Sequence, residues 1–412
     1  VQFPIKLNGE QVNTVQPIWT RNKSEITDEE YNEFYKFQAN AFDDPLYRLH
    51  FSSDAPLEIN ALVFVPGENP ERWGFGKVDP GVSLYSRRIL IDPKPDGLLP
   101  DWLRFLKGVV DSSDIPLNIS RESMQDSALT KKIGQVIAGR FIKFLEDEAK
   151  KDPAKFEEFY KKFSIYLKEG IAADIKNRDQ LAKLLRYESS ATENGKLTTL
   201  EEYVSRMKDG QKEIYYLYAP SRDILEAGPH IEAFRARGLE VLYLFEPVDE
   251  FVMTSLGKYD DKELVSADNA SIDFGDDEAA PESKVSEEDA KALTEWFKEV
   301  LGDRVKEVVM SKRLVDSPAV ALNADKFMTP SMRRMMKALQ REGSVENSIN
   351  LELNPAHKLI EGLSALRGKD PETAKLVAEQ IFDNALVAAG FMEDAREMVG
   401  RVYSILERVT GK

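Results

Sequence analysis

Cysteine is absent from this sequence, which excludes disulfides, thiolate nucleophiles and cysteine-held zinc and suits a reducing compartment. Histidine occurs three times, at His50, His230 and His357. None has a second histidine or a carboxylate at ligand spacing on one face, so no metal site is expected. A GxSxG elbow and an HExxH helix are both missing, and GENPERWGFGKV (67–78) has the wrong glycine spacing and the wrong ending for a P-loop. No apolar run approaches the roughly 20 residues of a membrane-spanning helix, so no membrane role is expected. Lysine and arginine number 56 against 72 acidic residues, a formal charge of -16. Over most of such a surface a phosphate backbone is repelled, which argues against nucleic acid or an anionic membrane as a main partner.

What is present describes a globular chain: 412 residues, 42% hydrophobic and 31% charged, enough for two or three domains. It starts at Val1 without an initiator methionine or a targeting segment, the mark of a shortened or processed chain. The stretches LEINALVFV (57–65) and SLYSRRILI (83–91) fit strands of a sheet. Asp101 to Val110 carries Trp102, Leu103, Phe105, Leu106, Val109 and Val110 as one broad apolar helical face. A helix is predicted from Ser127 to Lys150, stopping before Asp152-Pro153, and a second over 154–169, ended by Gly170.

Residues 213–245 form a compact unit in which strand EIYYLYA, helix SRDILEAGPHIEAFRARG and strand LEVLYLF imply two parallel strands through a right-handed crossover. The open ends of such strands often bind small ligands, but no glycine-rich turn occurs here, and the reading is a packing unit. The acidic, small-residue stretch SADNASIDFGDDEAAPESKV (266–285) is the expected linker. Ser286 and Asp289 open a helix through Trp296 and Leu301, residues 305–323 read as strands, and three helical blocks follow at 354–366, 371–389 and 395–409, divided at Gly368 and Gly390. In the last block Met398, Val402, Ile405 and Val409 form one stripe and Val399, Tyr403 and Leu406 another. That width suits a helix packed between several others, including helices of a second subunit.

Two stretches carry candidate chemistry. In DIPLNISRESMQDSALTKK (114–132), Ser120 is placed to cap a helix start, and Arg121 then stands where backbone N–H groups and the helix dipole already favour an anion. A cation there is unfavourable by itself, so either an anion comes from elsewhere, with Gln125 on the same face to hold a water, or Arg121 is solvated and pairs with Asp111 or Asp114. The second stretch, FMTPSMRRMMKAL (327–339), holds Met328, Met332, Met335 and Met336, four of the ten methionines. A flexible thioether surface for varied apolar partners and ordinary core packing both fit this cluster.

At this point the residues resemble a known family. PIWTRNKSEITDEEYNEFYK (17–36), DPLYRLHF (44–51), YSRRILI (85–91), LRFLKGVVDSSDIPLNISRE (103–122), KLLRYESS (183–190), LTTLEEYVSRMKDGQKEIYYLYAPS (197–221), LELNPAHKLIEGL (351–363) and QIFDNALVAAGF (380–391) are similar to the ninety-kilodalton heat-shock chaperone family (heat shock protein 90). FPIKLNGEQVNTVQPIW and LLRYESSATENGKLTTLEEYVSRM resemble its mitochondrial branch, which has bacterial relatives. The chain ends in ILERVTGK, without the MEEVD-type tail of cytosolic members.

The resemblance implies the middle and C-terminal domains of a stress-response chaperone, with the N-terminal ATP-binding domain absent. The implied fold is α/β and α+β: an α/β middle domain in two parts joined by helices, then an α+β C-terminal dimerisation domain ending in a helix bundle. Its implied extents are a linker remnant at 1–13, a large middle part with the catalytic loop at 14–150, a helical connector and small α/β part at 151–265, the linker at 266–285 and the dimerisation domain at 286–412. Arg121, with Gln125 beside it, matches the arginine that the family's middle domain offers to the γ-phosphate of ATP when the lid closes. The expected partners are a second copy of the chain, client proteins and the N-terminal ATPase domain. By the same resemblance ATP and Mg belong to the full-length parent, and this fragment is expected to hold no cofactor and to hydrolyse no ATP alone. The family's dimer interface falls on Met398, Val402, Ile405, Leu406 and Val409. Its client contacts fall on the methionine helix and on Phe42, where cytosolic relatives carry tryptophan. The implied compartment is the mitochondrial matrix or, alternatively, a bacterial cytoplasm. Without the resemblance, the residues also fit a non-catalytic dimeric scaffold.

Overall fold

The computed structural model describes residues 4–11, 16–74, 76–116, 127–274, 283–325, 328–329, 332–333, 349–392 and 394–411. The chain divides into two compact units, Val1–Leu185 and Arg186–Lys412.

The first unit starts with the hairpin β1 (Lys6–Leu7) and β2 (Glu10–Gln11). Helix α1 (Asp28–Ala39) opens with a reciprocal capping box, Glu30 N–H donating to Thr27 Oγ1 at 3.2 Å and Thr27 N–H to Glu30 Oε2 at 3.0 Å. It closes on Asn40 in the left-handed region, φ 50°. The sheet is built from β3 (Tyr47–Ser53), β4 (Ile59–Val65), β5 (Gly81–Ser86), β6 (Ile89–Asp92) and β7 (Lys107–Asp111), in the order β3-β4-β7-β5-β6. Strand β7 runs antiparallel to β4 and parallel to β5. Helices α2 (Ser127–Lys151) and α3 (Pro153–Ala173) supply an aromatic core in which Phe105 lies 4.7 Å from Tyr166 and 6.0 Å from Phe141, centroid to centroid. The short α4 (Arg178–Ala182) completes the unit.

Three expectations are corrected here. SLYSRRILI is two strands, reversed at Arg87 and Arg88, which take φ 50° and 69°. Asp101 to Val110 is a single 3₁₀ turn (Asp101–Leu103) followed by β7. Strand β7 is covered on both faces, so its apolar residues run on without alternating and can be fitted to a helical face. Gly170 does not end α3, which continues to Ala173. A Cβ there would stand 2.8 Å from Leu181 Cδ1 and 3.1 Å from the Trp102 ring, so this glycine serves close packing.

The second unit begins with β8 (Glu188–Ser189) and α5 (Leu200–Arg206), the latter again opened by a capping box, Thr199 with Glu202. Then come β9 (Glu213–Tyr218), α6 (Arg222–Ala227), α7 (Glu232–Arg237), β10 (Val241–Leu244), α8 (Pro247–Leu256), β11 (Lys258–Tyr259) and β12 (Lys262–Ser266). Their sheet has the order β11-β12-β9-β10-β8, with β10 and β12 both parallel to β9. The expected parallel pair is therefore present, although its single connecting helix is two, split by a 3₁₀ turn at Pro229. Residues 266–274, read as the start of a linker, are instead packed: Ser266 pairs with Tyr216, and Ala267 and Ile272 are buried.

Helix α9 (Glu287–Leu301) starts on Ser286, whose hydroxyl accepts from Asp289 N–H at 3.2 Å. A three-stranded sheet of β13 (Glu307–Met310), β14 (Ala319–Asn323) and β15 (Ile349–Leu353), in the order β13-β15-β14, is covered by α10 (Lys358–Lys369) and α11 (Pro371–Ala388). Helix α10 runs through Gly368 and stops at Asp370, which caps α11 through Thr373 N–H. The last helix is α12 (Arg396–Thr410). Mixed α/β followed by α+β is the architecture the sequence implied.

Candidate functional site

Arg121 and Gln125 lie outside the described residues; the structure fixes the segments on either side of them. At the end of β7, the buried carboxylate of Asp111 accepts from Trp19 Nε1–H at 3.0 Å and from Arg88 N–H at 3.0 Å. Beyond it, Ser112 N–H donates to Tyr85 O at 3.1 Å, and Ser86 Oγ donates to Ile115 O at 2.7 Å. Asp114 accepts from Glu58 N–H at 2.9 Å. Asp111 and Asp114, the carboxylates weighed as partners for Arg121, thus anchor the strand end. On the far side, α2 is held by Ile133, Ile137 and Phe141, all fully buried. The described segments on either side of 117–126 are thus both held by packing and hydrogen bonds.

Further into the unit, the buried guanidinium of Arg104 lies 4.6 Å from the Tyr166 ring centroid and forks onto Glu71 with two hydrogen bonds of 2.8 Å, also reaching Glu169 at 3.0 Å. Its hydrogen bonds hold the Glu71 carboxyl below the usual range, against the opposing effect of burial. Each histidine has a structural partner. His50 shares a 2.7 Å hydrogen bond with Tyr31 Oη, His230 Nε2 lies 2.9 Å from Ala321 O, and His357 caps α10 by accepting from Leu359 N–H.

The terminal helix separates the two apolar stripes. Met398, Val402 and Ile405 are half-buried, whereas Val399, Tyr403, Leu406 and Val409 are exposed, and no residue of α12 is buried. Val409, grouped by spacing with the first stripe, therefore joins the outward face near the helix end, beyond its neighbour's cover. Polar contacts hold the inner side. Buried Asp383 of α11 bonds to both Arg304 and Arg401, and Arg401 Nε–H also donates to Glu379 at 2.9 Å.

Phe42 is 97% exposed and Phe37 84%. Polar contacts hold the turn that carries Phe42: Asp43 accepts from Gly67 N–H at 2.9 Å, and Lys36 pairs with Asp44 at 2.9 Å. Met328 and Met332 are half-buried. Met328 O accepts from Asn323 Nδ2–H at 2.9 Å and Met328 N–H donates to Asp325 at 3.1 Å, which ties this segment to the end of β14. Met335 and Met336 lie outside the described residues.

Residues 5–411 match the Hsp90 protein family. The chain belongs to that family. It is 49% identical over 410 residues to the chaperone protein HtpG of Desulfitobacterium hafniense, covering 99% of this chain and 66% of that protein. To the mitochondrial TNF receptor-associated protein 1 homolog of Dictyostelium discoideum it is 41% identical over 418 residues, covering 100% and 58%. To the mitochondrial heat shock protein 75 kDa of Rattus norvegicus it is 40% identical, covering 98% and 59%. This Hsp90 chain spans about two thirds or less of the length of these relatives. Bacterial and mitochondrial members stand together among them, in keeping with the mitochondrial-like branch.

Local reading of the sequence could not find Asp111, Trp19, Asp383 or Arg401 as positioning residues. Trp19 and Asp111 meet across 92 positions, and spacing carries no signal at that range. A weak cue was available for Asp383, the one charge among the buried residues of α11, which needs a cation.

Proposed function

We propose that this chain is the middle and C-terminal portion of an ATP-dependent molecular chaperone. It dimerises through α11 and α12 and binds partly folded clients. The observation that carries the reading is the exposed apolar face of α12, Val399, Tyr403, Leu406 and Val409, on a helix whose opposite side is held by Arg401 and Asp383. An apolar stripe turned outward beside a polar anchor suits a bundle of two helices from each copy.

In the complete protein an N-terminal domain binds ATP with Mg, and the γ-phosphate is the centre at which charge develops. Arg121 offers a cation to that charge, and Gln125 orients a water. Phe42 and the segment from Met328 to Met336 offer apolar contact to clients. Bacterial and mitochondrial compartments both suit such a chain.

The dimer is tested by light scattering over a concentration series: the native chain runs as a dimer, and Tyr403→Glu with Leu406→Glu shifts it to monomer without lowering its helix content. The catalytic role is tested in the chain joined to an N-terminal ATP-binding domain of the family, where Arg121→Ala lowers kcat by about a hundredfold. A native monomer at tens of micromolar refutes the bundle. An unchanged kcat removes Arg121 from the reaction and leaves the dimeric scaffold as the better account.

A further inference from the structure

The chain leaves β9 toward β10 through α6 and α7, then crosses back through α8 to reach β12 on the other side of β9. Adjacent parallel strands whose connections depart to opposite sides leave a crevice at their carboxyl ends. Here that crevice is a cavity of about 450 Å³, within the usual size range of small-molecule sites. Its apolar walls include Leu217 and Ala219 at the end of β9, Ile224 and Leu225 of α6, and Val387 at the end of α11. Ile224 and Val387 are 51% and 49% exposed, aliphatic side chains left uncovered where they line the cavity.

The charged side chains that line the cavity are acceptors; Tyr218, which carries a hydroxyl, lines it as well. Asp268 and Glu250 line it, and both are buried. Asp268 Oδ1 accepts from Ser266 Oγ–H at 2.6 Å. Buried Tyr216 is kept neutral by burial first and then by the negative charge of Asp268 and Glu250, so both carboxylates act on one region. His230, 4% exposed, also lines the cavity. Burial lowers its pKa and keeps the ring neutral. Its Nε2 must carry the proton, because its partner there, Ala321 O, can only accept. The ring nitrogen left to a ligand is then Nδ1, a lone pair.

We infer that this cavity is a binding site for a small organic amine, an apolar body that fills the aliphatic walls and an ammonium head that donates to His230 Nδ1 and the carboxylates. A neutral alcohol of the same shape satisfies only part of that set, and a carboxylate meets like charge on a buried floor.

The test uses the full chain and three probes of similar shape: 2-phenylethylamine, 2-phenylethanol and 3-phenylpropionate. Histidine ring resonances report directly, since the chain has only three histidines. The amine is expected to shift His230 saturably while His50 and His357 stay still, the alcohol to bind about tenfold more weakly, and the acid not to bind. Ala388→Trp, at an exposed position lining the cavity, is expected to abolish the shift in a normally folded chain. Asp268→Asn weakens amine binding at least tenfold more than alcohol binding. Equal response to all three probes, no response to the amine, or a shift that survives Ala388→Trp overturns the assignment.

Discussion

Replacing Asp111 by alanine strands two donors that converge on one oxygen, and the structure sets the size of the effect. The Trp19 indole N–H is buried, so losing its charged acceptor costs about 1–3 kcal/mol. Arg88 is exposed apart from this bond, so water partly replaces the carboxylate and its share sits near 1 kcal/mol. Asp111→Ala should therefore lower the local opening free energy of β7 and residues 112–116 by about 2–4 kcal/mol. Asp111→Asn should cost only about 1 kcal/mol, because both 3.0 Å contacts use Oδ2 and an amide oxygen at that position keeps both. Amide hydrogen exchange on the full chain, followed at Val109, Val110, Ser112 and Ile115, reads this locally. The alanine variant should exchange one to three powers of ten faster, since each factor of ten is about 1.4 kcal/mol. If alanine and asparagine behave alike, or alanine stays within threefold of the native chain, Asp111 does not hold the strand end.

Two further outcomes follow from packing and charge. Gly134→Ala would bring a Cβ to 1.9 Å from the carbonyl oxygen of Leu98, which backbone cannot yield without displacing α2; a loss of about 3 kcal/mol or more is expected, seen as a lower melting temperature of the first unit, and an unchanged melting profile contradicts the contact. Arg104 lowers the pKa of Glu71 from its ordinary 4.5. The unfolded chain therefore binds the extra proton, and the stability from Glu71 is complete above about 4.5 and lost as pH falls through the lowered folded value. The stability gap between native and Glu71→Gln chains should thus be full at neutral pH and shrink below 4.5, whereas a gap that ignores pH rules out the pairing.

The fold was legible where each element is regular and half-exposed. Helices α2, α9 and α11 carry long 3.6-residue patterns, and the 213–245 unit alternates clearly between strand and helix. Strand β7 was not legible, because it is apolar on both sides; only its partners β4 and β5 make it a strand. The break at Pro229 and the continuation through Gly170 and Gly368 show the same limit from the other side. Proline and glycine punctuate a chain only where the surroundings leave the ordinary choice open, and Gly170 is there for the ring of Trp102. Helical spacing marked the C-terminal stripes and the expected helix start marked Arg121, while resemblance gave them roles; the contacts that hold the neighbouring described elements became visible only with the coordinates. Trp19 reaches Asp111, and Arg401 reaches Asp383, through tertiary contacts that no local spacing encodes.

The attachment of α12 has one more consequence. No residue of this helix is buried, and its rotation about its axis rests on half-buried Met398, Val402 and Ile405 and on two polar anchors, Arg401 against Asp383 and Glu379 and Arg408 against Thr373. One residue of slippage turns a helix by about 100°. Such a turn would carry Arg401 away from both carboxylates and swing Tyr403 and Leu406 from the outward face toward the side. The ion pairs therefore act as an angular key: besides holding the inner side, they decide which face of the helix is turned outward.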